Sequence, residues 1–192
     1  DYRNNAYAMD QSNTGNLYIG GYYAADDEGN SGNCLVKLNS SGELVWFKKL
    51  DEFSVAAIKA MNNGVCVAGT WYDPDSSARA PALLKLSGSG EFQQCRTFHL
   101  PGTSSISRLA LDAAGNIYRA GNSQFGVSDR SAFIISIDEY FGMNWARIWE
   151  GWYRNSLWDL AVDEAGNILL AVAGNNRHIV LKLRGDSGYP RH

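Results

Sequence analysis

Short apolar runs alternate with turn-forming clusters along the whole chain, and no segment sustains a 3.6-residue apolar period over ten or more positions. Helical solenoids and bundles are excluded on that ground. Two kinds of run recur. The first is almost wholly apolar and reads CLVKL, ALLKL, FIISI and IVLKL; unbroken apolarity over so few residues suits a strand buried on both faces. The second lies upstream of each and reads YAMDQSNTGNLYIGG, IKAMNNGVCVAGT, LALDAAGNIYRAG and LAVDEAGNILLAVAG. It parses as a short strand such as Ser107–Asp112 or Leu157–Asp163, a tight turn, and a second strand that closes on glycine.

The phase of these runs repeats. Turn glycines follow the apolar runs at Gly42, Gly90, Gly142 and Gly188, spaced by 48, 52 and 46 residues. The upstream units end at Gly21, Gly69, Gly121 and Gly174, again about fifty apart; the last falls two residues late, which predicts a bulge or a longer strand there. Each repeat holds four short strands: the hairpin, an apolar third strand such as Leu83–Leu86, and a fourth such as Leu44–Leu50 or Asn144–Trp149. Four antiparallel strands at this period are the sequence form of a propeller blade. The expected fold is therefore an all-β β-propeller of four repeats, at about 5–50, 54–100, 105–150 and 156–192, each a four-stranded antiparallel blade.

Turn chemistry supports the hairpins. In Asp112–Asn116 and Asp163–Asn167 an Asp can accept from the turn backbone and a Gly can supply a positive φ. Asp10 is expected to play the same part in the first repeat. The second repeat departs, with Ala60 where the Asp should stand and Asn63-Gly64 in place of Gly-Asn, so a different turn type is expected. The first repeat opens on a first strand at Asn5–Asp10, and the last stops at Tyr189–His192 where a fourth strand should start, so the last blade reads as incomplete. Propellers remove sheet edges by closing a ring. The chain is thus expected to be a single propeller domain or part of a larger propeller, with a half-ring that pairs as a homodimer as the competing arrangement.

The motif D-x-x-G-N-I-Y-x-x-G, followed by L-x-K-L and S-G-E-x-x-W, resembles the bacterial β-propeller repeat proteins, a secreted group with a D-x-x-G-N-x-Y-x-x-G pattern. The resemblance covers the chain four times over. It implies the fold and an extracellular or cell-surface location; it implies no common activity, because that group shares a scaffold only.

Composition narrows the field from the other side. Charged residues are 19% and net charge is −3 at pH 7, with no cluster of Lys and Arg, so the basic stripe that nucleic acid requires is missing. No apolar run approaches the length of a membrane span. Cys34, Cys66 and Cys95 form no C-x-x-C pair and each falls in a strand-like run, where a thiol serves as a small hydrophobe.

Candidate chemistry concentrates in loops between second and third strands and between blades. Tyr22, Tyr23, Trp71, Tyr72, Trp149, Trp152 and Tyr153 place aromatic rings there, and Trp158 adds another. Planar rings with a polar rim can stack on sugars or anchor a protein partner, although rings at strand ends also seal gaps between blades. The same loops carry Asp26, Asp27, Glu28, Asp73, Asp75 and Asp129, oxygen ligands that could hold calcium, but D-D-E-G-N lacks the alternating spacing of an EF-hand loop. His99, His178 and His192 belong to no nucleophile or metal motif, and Glu150 beside Trp149 is the only carboxylate that hints at acid–base work on a sugar. The expected role is a non-catalytic binding module for a glycan or a protein. The alternatives are a polysaccharide-acting hydrolase or lyase and a structural spacer.

Overall fold

The computed structural model describes residues 4–24, 31–75, 79–98, 103–125, 129–149, 156–174 and 177–190. Among the described residues fifteen strands form antiparallel meanders that correspond to the repeats. Blade 1 holds β1 (Asn5–Gln11), β2 (Leu17–Tyr23), β3 (Gly32–Leu38) and β4 (Leu44–Lys49). Blade 2 holds β5 (Phe53–Met61), β6 (Gly64–Tyr72), β7 (Arg79–Ser87) and β8 (Phe92–Thr97). Blade 3 holds β9 (Thr103–Leu111), β10 (Ile117–Phe125), β11 (Asp129–Ile137) and β12 (Met143–Trp149). Blade 4 holds β13 (Ser156–Val162), β14 (Asn167–Gly174) and β15 (Arg177–Arg184), three strands among the described residues. The fold is all-β and of the propeller class. Blades 1 and 2 make one compact unit, Asp1–Phe98, and blades 3 and 4 make another, His99–His192.

Inside each unit two blades stack face to face. Strand alternation gives every blade two faces, and within each unit the forward face of the first blade meets the rear face of the second. In the first unit Tyr18, Leu35 and Trp46 on the forward face of blade 1 pack on Val55, Ile58, Val67 and Leu84 on the rear face of blade 2. The second unit repeats the scheme, with Tyr118, Ala120, Ile134 and Trp145 of blade 3 on Leu160, Ile168, Leu170 and Leu183 of blade 4. Leu35 and Ile134 are both fully buried, and each such side chain contributes about 1.5–3 kcal/mol through its burial.

One irregularity recurs. Each first strand carries a bulge, at Tyr7, Ala56, Ser107 and Trp158, where its pairing with the second strand shifts. The bulge presses a main-chain carbonyl into the second strand: a Cβ at Gly21 would collide with the oxygen of Asn5, and one at Gly69 with that of Ser54. This close approach explains the repeated glycine. In blade 4 Val172 holds that position, paired with Leu157, so the bulge persists while Gly174 moves to the strand end.

The hairpin turns share one design with local variations. Asp112 accepts from the N–H groups of Ala114 and Asn116 at 3.0 and 2.8 Å, and Asp163 accepts from Ala165 and Asn167 at 3.1 and 2.8 Å. Asn39 and Asp138 do the same in the turns before the fourth strands of blades 1 and 3. One expectation needs correction. In blade 1 the turn acceptor is Ser12, whose hydroxyl takes the Asn16 N–H at 3.1 Å, because the turn reads S-N-T-G-N. Asp10 lies too far upstream to cap it and instead accepts the Ala60 N–H of blade 2 at 2.8 Å, with Lys59 at 3.3 Å. A separate variation lies in blade 3: Gly142 stands in the turn, but the left-handed position falls on the fully buried Phe141 (φ 64°), whereas Gly42, Gly90 and Gly188 hold it in the other blades. The departure foreseen for the second repeat is present: Met61 pairs directly with Gly64, leaving Asn62-Asn63 as a two-residue loop.

Cys34 and Cys66 are buried and Cys95 is half-buried, and none of the three is joined in a disulfide. Burial pushes the Cys34 and Cys95 thiols above their ordinary pKa, which keeps them neutral and apolar in character.

Candidate functional site

The strand-end aromatics are placed separately, each with its own local partner. Tyr22 is half-buried and its hydroxyl donates to Ser31 Oγ at 2.7 Å. Tyr23 meets Phe47 edge to face at 5.6 Å, with the Lys49 ammonium 5.5 Å from its ring centre. Tyr72 lies under the Arg79 guanidinium at 5.0 Å. Trp149 packs against the core between blades 3 and 4, in the role Leu50 has between blades 1 and 2. Trp149 thus belongs to a core between two blades, while the three tyrosines keep partners within their own blades, at the ends of β2 and β6. Trp152, Tyr153, Glu150, Asp26, Asp27, Glu28, His99 and His192 lie outside the described residues, and of Asp129 only the main chain, at the start of β11, is described.

Trp71 differs from the others. Its ring rests on the core between blades 1 and 2 and also lines a groove of about 480 Å³ that runs between β4 and the β7–β8 edge. Phe53, Trp71, Leu84 and Leu86 make an apolar floor, and Lys48, Lys49, Asp51, Glu52 and Glu91 stand around it. The sequence reason is plain. Leu84 and Leu86 belong to the apolar third strand and are buried beneath the groove, while the charges come from β4, its link to β5 and the β7–β8 turn. A Lys48–Glu91 ion pair at 3.6 Å crosses from blade 1 to blade 2 on the surface, where such a pair adds about 0–1 kcal/mol. Phe92 extends the apolar surface outward at 65% exposure. Lys48, Glu91 and Phe92 were not singled out by sequence reasoning; the signal available was the S-G-E-F turn itself, whose exposed phenylalanine stands where a polar residue would serve.

A second cavity, of about 410 Å³, lies in the other unit beside Asp112, Tyr118, Trp145 and Asp186. Its polar groups bond within blade 3 and across to blade 4. The Tyr118 hydroxyl donates to Asp112 Oδ2 at 2.9 Å, and Trp145 Nε1 donates to the Gly185 carbonyl at 2.9 Å. Burial, and then the bond to Asp112, push the Tyr118 phenol well above its usual pKa, so it remains a donor at any working pH.

Metal chemistry finds no built site here. Asp73 accepts the Asp75 N–H at 3.0 Å in a local turn, and among the described residues no group of three or more His, Cys, Asp or Glu is placed to hold an ion. Among the described residues, likewise, no helix is long and apolar enough to cross a membrane.

Fold and groove together define a propeller-type scaffold with an inter-blade cleft that is apolar below and doubly charged above. Compared with known proteins, the chain matches no family model and no curated sequence.

Proposed function

We propose that this protein is a non-catalytic binding module, acting outside the cell or at its surface, that takes an extended segment of a partner protein into the groove between blades 1 and 2. The observation that carries this reading is the pairing of an aliphatic and aromatic floor (Phe53, Trp71, Leu84, Leu86) with interspersed cations and carboxylates on the walls. An extended peptide presents alternate side chains to opposite sides, apolar ones inward and charged ones outward, which is the pattern such a groove accepts. A sugar favours open aromatic platforms with polar rims, and Leu84 and Leu86 offer it little. The exposed edge of the floor, with Phe92, is the anchor around which a short interface can form.

The test is a selection from a random peptide array, run beside a glycan array, followed by titration of the best binders against Glu52→Lys, Lys48→Glu and Phe92→Ser. These residues lie at the surface and leave the core untouched. Peptides whose Kd rises tenfold or more in the charge-reversed variants, at unchanged melting temperature, support the proposal. Peptides indifferent to all three changes, or binding to glycans alone, overturn it.

A further inference from the structure

The two packed units expose a rule that the remaining surfaces of the chain leave open. In the first unit the rear-face row Ile58–Val67–Leu84–Cys95, in register across blade 2, is covered by blade 1. In the second unit the row Leu160–Leu170–Leu181 of blade 4 is covered by blade 3 in the same way. Blade 1 carries the equivalent row, Met9–Ile19–Val36–Phe47, in the same register. It is open: Met9 is 64% and Phe47 43% exposed.

Blade 4 shows the complementary half. Its forward row Asp159–Ala171–Val180 corresponds to Ala8–Gly20–Leu35 in blade 1 and Arg108–Ala120–Ile134 in blade 3. Leu35 and Ile134 are fully buried under the next blade, whereas Val180 is 71% exposed. Trp158, in the bulge beside it, is 61% exposed. Lys37, on the forward face of blade 1, donates to the Gly88 carbonyl of blade 2 at 2.7 Å; its counterpart Lys182 turns back to Asp163 of its own blade at 2.9 Å. One chain thus presents both halves of the joint it already makes twice.

We propose that the forward face of blade 4 in one copy of this chain docks on the rear face of blade 1 in a second copy, in the register of the two joints inside each unit. The commitment to a second copy rests on continuity with those joints. The rear row of blade 1 needs a forward face, and the chain itself supplies one in register, with Val180 and Trp158 exposed on it and Asp159 and Lys182 at its edges, paired to Arg108 and Asp163. Because the two surfaces differ, the contact is head to tail, closing as a dimer or extending as a chain according to its rotation. This proposal is independent of the peptide groove, whose variants leave both faces intact.

The experiment is analytical ultracentrifugation of the full chain over a wide concentration range, with the exposed-face variants Phe47→Lys and Val180→Lys. Wild type is expected to associate to at least twice its 21.1 kDa mass. Each variant alone is expected to weaken association tenfold or more at an unchanged unfolding midpoint. An equimolar mixture of the two keeps one intact joint, between the blade 4 face of Phe47→Lys and the blade 1 face of Val180→Lys, and is expected to form heterodimers. A wild type that stays monomeric overturns the proposal, as does association insensitive to both variants or a mixture that fails to pair.

Discussion

Trp145 of blade 3 donates its indole N–H to the main-chain carbonyl of Gly185 in blade 4 across 2.9 Å, and the pair is repeated by Trp46 and Gly88 in the first unit at 3.1 Å. In both units the indole also lies about 6 Å from the tyrosine of the second strand, Tyr118 or Tyr18. The bond satisfies a carbonyl in the turn that leaves the third strand, and it fixes the spacing of two blades at their outer edge. The partners of the two carbonyls differ, however. Gly88 also accepts from Lys37 at 2.7 Å, whereas blade 3 has Ser136 at the lysine position and, among the described residues, Gly185 has the Tyr118 hydroxyl at 3.4 Å in support.

That difference sets a first expectation. Trp145→Phe removes the donor and leaves the Gly185 carbonyl poorly served, at a cost of about 1–3 kcal/mol. Trp46→Phe leaves Lys37 in place and costs about 0.5–1.5 kcal/mol on the hydrogen-bond term. Urea denaturation of the two variants decides the order; equal losses would show that the carbonyl bond is not what separates them.

Glycine substitutions separate backbone strain from steric conflict. Gly115 and Gly188 both have positive φ, 87° and 67°, but Gly115 faces open space while a Cβ at Gly188 would stand 2.5 Å from the Trp145 ring. Gly115→Ala is expected to cost about 1–2 kcal/mol, the left-handed penalty alone. Gly188→Ala adds displacement of the indole and is expected to cost clearly more, with a drop in near-UV circular dichroism that Gly115→Ala lacks.

Asp10 offers a test of the inter-blade bond that replaces its expected turn role. Asp10→Ala strips the Ala60 N–H of its acceptor and is expected to cost about 1–3 kcal/mol, since a bond to a charged group is lost. Asp10→Asn keeps a carbonyl oxygen in place and should cost less. If both variants melt with wild type, the contact between β1 and β5 does not depend on this carboxylate.

The acid limb of stability should report Asp163. The hydrogen bond from Lys182, with those from Asn167, holds its carboxyl well below the usual carboxylate range. A depressed folded-state pKa contributes stability above the unfolded value near 3.9, and that contribution disappears as pH falls through the folded value. Melting temperature measured from pH 7 down to pH 2 is therefore expected to fall for wild type more steeply than for Asp163→Asn below about pH 4. Parallel curves would remove Asp163 from the acid response.

The repeat itself determined the blades: period, turn residues and the all-apolar third strands are local properties, and strand pairing in a meander follows from neighbours along the chain. Turn acids at Asp112 and Asp163 were legible for the same reason, because an Asx turn closes within a few residues. Asp10 was misplaced because a two-residue offset inside a turn leaves the repeat spacing nearly unchanged; only the hydrogen bonds assign the turn role to Ser12 and the inter-blade role to Asp10. The sequence placed Tyr22, Tyr23, Trp71 and Tyr72 in loops, whereas they end β2 and β6; only tertiary packing decided that Trp71 reaches a groove, that Tyr23 meets Phe47 and that Trp149 packs on the core between blades 3 and 4. The open rows on blades 1 and 4 were hidden as well. Burial of a strand face depends on which sheet lies against it, and a sequence that repeats the same apolar pattern four times cannot say which copies are covered.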